Sequence, residues 1–74
     1  MNFVVPEGLV VFSKNNCPAC DTLKNKLAEQ NKPYFEYKVD EDDSVRDFVI
    51  SKGFRSMPVV FLNGEAVSVF KVVS

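Results

Sequence analysis

The 74-residue sequence has no histidine and only two cysteines. Without histidine there is no Cys–His or Ser–His nucleophile pair and no histidine-containing zinc site. No apolar run approaches the roughly 18 residues of a membrane span. Neither sign of charge dominates: nine Lys and Arg face ten Asp and Glu, a formal charge of −1. That removes the broad positive footprint of a nucleic-acid binder. The opening stretch Met1-Asn2-Phe3-Val4-Val5-Pro6-Glu7 has no basic n-region and no apolar h-region. No secretory leader is therefore expected, and the cytoplasm is the expected compartment. What is present is the balance of a globular chain, 46% hydrophobic and 26% charged, with room for a single domain spanning residues 1–74.

A chain this small usually relies on disulfides, a metal or very efficient packing. Cys17 and Cys20 enclose only Pro18 and Ala19, and a four-residue ring is a poor staple, at about 2 kcal/mol in the chain-entropy model. Structural zinc would need two further ligands from carboxylates or from a second chain. Two inert buried thiols are a third reading. A redox pair is the fourth, and it requires the motif to lie between a strand and a helix.

The flanking sequence supplies that context. Gly8-Leu9-Val10-Val11-Phe12-Ser13 is a short apolar run suited to a strand buried on both faces. Lys14-Asn15-Asn16 reads as a loop. From Pro18 to about Gln30 the period is helical, with Ala19, Cys20, Leu23, Leu27 and Ala28 on one face and Asp21, Lys24, Lys26 and Glu29 on the other. Pro18 suits the first turn, where its missing N–H costs nothing. Asn31-Lys32-Pro33 ends this helix, and Tyr34 to Val39 alternates as a second strand.

Asp40-Glu41-Asp42-Asp43 precedes Val45, Phe48 and Val49, an acidic start to a second helix that Gly53 closes. A docking patch for a basic partner is the other reading of that run. Pro58 to Leu62 and Ala66 to Phe70 read as strands three and four, joined by the hairpin signal Asn63-Gly64. Phe12, Tyr34, Phe35 and Phe48 are expected in the core. The order is β-α-β-α-β-β. The first two strands, joined by a helix, are expected to be parallel with a right-handed crossover. Ligand chemistry then gathers at the strands' carboxyl ends. Ser13 marks such an end, and Cys17 falls where the first helix begins.

Val11-Phe12-Ser13-Lys14-Asn15-Asn16-Cys17-Pro18-Ala19-Cys20, with Asp40-Glu41-Asp42 and Ser56-Met57-Pro58-Val59-Val60-Phe61-Leu62-Asn63-Gly64-Glu65, resembles the glutaredoxin family of the thioredoxin-fold superfamily. The resemblance runs from Gly8 to Phe70. It implies an α/β fold with a four-stranded mixed sheet flanked by helices, the C-terminal helix being missing or minimal because the chain stops at Ser74. It also implies thiol–disulfide exchange. Cys17 is then the nucleophile and Cys20 the resolving thiol. Met57-Pro58 forms a cis-proline loop facing them, and Lys14, Pro18, Ala19, Met57 and Pro58 line the substrate. No bound cofactor or metal is implied.

The chain departs from the family pattern in places. Ala19 stands where many members carry an aromatic residue. Ser68-Val69 and Lys71-Val72 stand where many carry Gly-Gly and then acidic residues for the amino end of glutathione. The reductant implied is either glutathione, as co-substrate, or a thioredoxin reductase. The acceptor is a protein disulfide, with ribonucleotide reductase suggested by analogy. A monomer is expected, the rival from another class being a dimer that bridges zinc or an iron–sulfur cluster through Cys17.

Only the thiolate attacks a disulfide, and a helix N-terminus favours it through unpaired N–H groups and the dipole. Lys14 would add a positive charge from three residues away. A thiol moved from a pKa of about 8.5 to about 6.5 gains roughly 24-fold in thiolate at pH 7 and loses about tenfold in nucleophilicity. The net gain as attacker is only two- to threefold by that estimate. Geometry has to supply the rest.

Overall fold

The computed structural model describes residues 3–73, with the side chain of residue 73 left aside. Its elements are β1 (Leu9–Ser13), α1 (Pro18–Glu29), β2 (Phe35–Lys38), α2 (Asp43–Ser51), β3 (Val59–Leu62), β4 (Glu65–Val67) and α3 (Val69–Val73). The sheet order is β2-β1-β3-β4. β2 runs parallel to β1, pairing Val10 with Phe35 and Phe12 with Tyr37. β3 runs antiparallel to β1, with Val11 opposite Val60, and β4 is antiparallel to β3. This is the four-stranded mixed sheet that the sequence resemblance implies.

Side chains alternate across β1 and β3, so the two central strands feed two cores. Val10, Phe12, Val59 and Phe61 pack against Val45 and Val49 of α2. Val11 and Val60 meet Leu23 and Leu27 of α1 and Val72 of α3 on the opposite face. Phe12 is the centre of the first core. Its ring stands 5.4 Å from Phe61, 5.8 Å from Phe48, 5.9 Å from Phe3 and 6.0 Å from Tyr37. Phe3 thus brings the N-terminal segment over this core, a role that its isolated position in the sequence does not announce.

Local signals end the elements where physics requires. Asn63 and Gly64 both have positive φ, 51° and 85°, as a two-residue type I′ hairpin turn demands. Asn63 is also tied to the start of β1: its side-chain oxygen accepts from the Gly8 N–H at 3.0 Å. Asp42 is the N-cap of α2, its carboxylate accepting from the N–H groups of Ser44 and Val45. These bonds, led by the Ser44 hydroxyl and then the Ser44 N–H, hold the Asp42 carboxyl below its usual value. Asp42→Ala is therefore expected to lower the thermal midpoint of unfolding, and the difference from the parent protein should vanish once acid protonates the cap.

The structure corrects the sequence reading at four places. The fourth strand stops at Val67 instead of Phe70. Ser68 turns the chain into α3: its hydroxyl accepts from the Phe70 N–H at 3.2 Å and its carbonyl from the Lys71 N–H at 3.0 Å. Val72 is thereby buried against α1, which outweighs the strand propensity of the valine-rich run. Phe35 lies half exposed, at 54%, where the edge strand begins; the core on that face takes Tyr37 and Val39 instead. Ala19 and Ala28 are exposed, so the stripe that α1 buries is narrower than expected, made of Cys20, Leu23 and Leu27. No helix among the described residues is long and apolar enough to cross a membrane.

Candidate active site

β1 delivers the chain to the site. Ser13 at its end is fully buried, and its hydroxyl donates to Glu36 of β2 at 2.7 Å. Its carbonyl accepts from the Val39 N–H at 2.9 Å. Lys14, Asn15 and Asn16 follow as an exposed loop, and Asn16 turns with a φ of 55°. The next residue, Cys17, has extended backbone geometry and is the N-cap of α1, with Pro18 in the first turn.

Serine, threonine or aspartate usually occupies such a cap, with a side-chain oxygen accepting from the helix N–H groups. Here sulfur takes that place. The N–H of Cys20 donates to Cys17 Sγ at 3.1 Å. The two cysteines form a disulfide with their Cα atoms 5.2 Å apart, so the protein is described in its oxidised state. Cys17 is 6% exposed and Cys20 is fully buried. On reduction, the same N–H and the first-turn dipole would face a thiolate at Cys17, whereas Cys20 lies under its own helix.

The Met57–Pro58 peptide bond is cis. The Met57 carbonyl oxygen lies 3.9 Å from Cys17 Sγ, so this loop flanks the disulfide. Pro18 and Ala19 are exposed beside the sulfur, and Met57 and Pro58 are partly buried. Lys14 is exposed, and among the described residues its ammonium makes no ion pair or hydrogen bond. The structure thus brings Cys17, Cys20, Pro18, Ala19, Met57 and Pro58 together, and leaves Lys14 on the rim. No three cysteine, aspartate or glutamate side chains among the described residues are grouped so as to hold a metal ion.

An ion pair ties α1 to β2 where the Ser13 hydroxyl also bonds. Lys24, one turn beyond Cys20 on α1, donates to Glu36 at 2.7 Å, and Asp21 stands 3.7 Å from the same ammonium. The hydrogen bond from Lys24, then that from Ser13, holds the Glu36 carboxyl below its usual value, while the bond to Glu36 raises Lys24. Both groups reach solvent, so the pair contributes little through charge alone. The signs are definite. Glu36 stabilises above its unfolded pKa and loses this as pH falls through its lowered folded value. Lys24 stabilises below its unfolded pKa and loses this as pH rises through its raised one. In denaturant unfolding, Glu36→Gln is expected to fall below the parent near neutrality and to converge with it under acid.

A β-α-β start with Cys-x-x-Cys at the head of its helix, a cis-proline loop against the sulfur and an antiparallel β-hairpin after it define a thioredoxin-fold dithiol protein. Within that class the glutaredoxin family model matches residues 9–67, and the chain belongs to the glutaredoxin family. The glutaredoxin-like protein NrdH of Lactococcus lactis subsp. cremoris is 36% identical over 63 residues, covering 85% of this chain and 88% of that protein. Among solved structures, the thioredoxin-like protein BC3987 superposes with a TM-score of 0.77 at 28% identity, over 86% of this chain and 93% of that one. The Escherichia coli NrdH-redoxin does so at 0.75 and 22% identity, over 81% and 79%. The chain is accordingly a thiol–disulfide oxidoreductase.

Proposed function

We propose that the protein is a dithiol electron carrier that reduces a protein disulfide, with Cys17 attacking and Cys20 resolving, and that a thioredoxin reductase re-reduces it. The observation that carries the reading is the sulfur of Cys17 seated as a helix cap on the Cys20 N–H, with Cys20 itself fully buried. In the first step the Cys17 thiolate attacks one sulfur of the substrate disulfide. A mixed disulfide forms and the other substrate sulfur leaves as a thiolate, which takes up a proton. Cys20 then gives up its proton and attacks the Cys17 sulfur, expelling the second substrate thiolate. The carrier is left oxidised and the substrate holds both electrons. The reductant returns two electrons and two protons. No bound cofactor or metal takes part.

The acceptor that the family resemblance suggests is ribonucleotide reductase. The choice of reductant is supported by the start of α3. Ser68-Val69 replaces the usual glycine pair, and Lys71, exposed on α3, puts an ammonium where the family often has a carboxylate. An ammonium there repels the amino end of glutathione. The fold-level likeness to the Escherichia coli NrdH-redoxin, a glutaredoxin-like protein with a thioredoxin-like activity profile, agrees in direction.

The test supplies NADPH with thioredoxin reductase in one arm, and with glutathione and glutathione reductase in the other. Turnover of a model protein disulfide is expected at least tenfold faster in the first arm. Equal or faster turnover in the glutathione arm would overturn the choice of reductant. Lys71→Asp is expected to raise the glutathione-dependent rate severalfold, because it reverses the charge that opposes the ligand; an unchanged rate removes Lys71 from the site.

A further inference from the structure

The acidic run after β2 divides its work. Asp42 caps α2, and Asp43 pairs with Arg46 at 3.4 Å. Asp40 and Glu41 instead reach the redox loop. Asp40 Oδ2 accepts the backbone N–H of Asn15 at 2.9 Å, and Glu41 Oε2 accepts from Asn15 Nδ2 at 3.0 Å. The remaining functional atom of that side chain, Asn15 Oδ1, accepts from Lys38 Nζ at 3.0 Å. A loop asparagine commonly bonds its own neighbours or water. Asn15 directs its amide N–H and both ends of its side chain at one distant segment, residues 38–41.

Two residues later the chain must set a sulfur over a single N–H. Asn16 makes the left-handed turn, and Cys17 then caps α1 with its Sγ 3.1 Å from the Cys20 nitrogen. A small rotation of the loop would carry the sulfur off that donor, because hydrogen bonds weaken steeply with misalignment. We infer that Asn15, gripped by Asp40, Glu41 and Lys38, is a positioning residue of the redox site that fixes the loop holding Cys17 Sγ over the Cys20 N–H. Asn15 acts through Cys17 and touches no substrate. The inference rests on Cys17 being the attacking thiol.

Geometry and charge predict opposite signs, which makes the role testable. Removing a nearby carboxylate by itself favours a thiolate, whereas losing the grip disfavours it. In Cys20→Ser protein, where one thiol reports, the rate of iodoacetamide alkylation is followed from pH 4 to 9. Asn15→Ala and Asp40→Ala are expected to raise the midpoint by about 0.5–1 pH unit, or roughly three- to tenfold slower alkylation on the acid side. Asp40→Asn keeps an oxygen to accept the Asn15 N–H and is expected at or below the parent midpoint. Urea unfolding of each variant shows that it is folded under the assay conditions. Folded Asn15→Ala and Asp40→Ala proteins with the parent midpoint would overturn the inference, as would Asp40→Asn rising as far as Asp40→Ala. A parent midpoint equal to that of a free-peptide thiol would overturn the role of Cys17 itself, and this inference with it.

Discussion

Cys20→Ser protein is expected to accumulate a covalent adduct with its disulfide substrate, while Cys17→Ser protein accumulates none. The asymmetry comes from the cap geometry. Cys17 sits at the helix entrance with exposed Pro18 and Ala19 beside it, and Cys20 is enclosed beneath. On the proposed roles the first, at 6% exposure, meets an incoming sulfur and the second, fully buried, attacks the first. With Cα atoms 5.2 Å apart on one helical turn, resolution is intramolecular. Effective concentrations in well-oriented systems reach on the order of 10⁵ M or more, far beyond any thiol in solution. Removing Cys20 is therefore expected to slow dithiol turnover on the order of a hundredfold or more, on that principle. Non-reducing electrophoresis and intact-protein mass spectrometry read the adduct. Equal trapping by the two variants would contradict the assigned order of attack.

The largest effect on stability is expected at Phe12. Its side chain is fully buried and its ring meets four others, from the N-terminal segment, β2, α2 and β3. Phe→Ala in a packed core costs about 3–5 kcal/mol. A native domain holds roughly 0.05–0.15 kcal/mol per residue, so this chain has on the order of 4–11 kcal/mol in all. One substitution thus removes between about a quarter of the total and all of it. Phe12→Ala is expected to be partly or wholly unfolded at 37 °C, as seen by loss of far-ultraviolet circular dichroism and a shift of the urea midpoint towards zero. Phe35→Ala, at an equally aromatic but half-exposed position, is expected to change the midpoint little. A Phe12→Ala protein as stable as the Phe35 variant would refute the core described between β1 and α2.

These two positions also show what a linear reading can resolve. Phe12 lies inside an unbroken apolar run, so burial on both faces of its strand follows from composition alone. Phe35 stands in an alternating stretch that reads the same whether its strand is central or at an edge. Edge position depends on which strand pairs with which, and the order β2-β1-β3-β4 leaves β2 with one neighbour. The last segment is a similar case. Ala66 to Phe70 has the valines of a strand, yet the hydroxyl of Ser68 and the burial of Val72 against α1 turn it into a helix. The competition is between local propensity and a contact some fifty residues away.

The redox pair itself was legible because its physics is local. Cys17 and Cys20 are three residues apart, the proline between them marks a helix start, and the preceding run is a strand. The hairpin turn at Asn63-Gly64 was legible for the same reason. The acidic run was legible only in part. A cap at Asp42 follows from its place before a helix, but nothing in the order of residues assigns Asp40 and Glu41 to a loop 25 and 26 residues upstream.

Sequence by itself therefore determined the succession of strands and helices as far as the β-hairpin, the two most apolar strands and the place of the cysteines, since each depends on spacings of a few residues. The tertiary structure alone decided the grip of Asp40, Glu41 and Lys38 on Asn15, the docking of Phe3 over the core and the exposure of Phe35. Those contacts join segments that become neighbours only after the sheet has set its strand order. Their partners are chosen by distance in space, which hydrophobic period and capping rules do not encode.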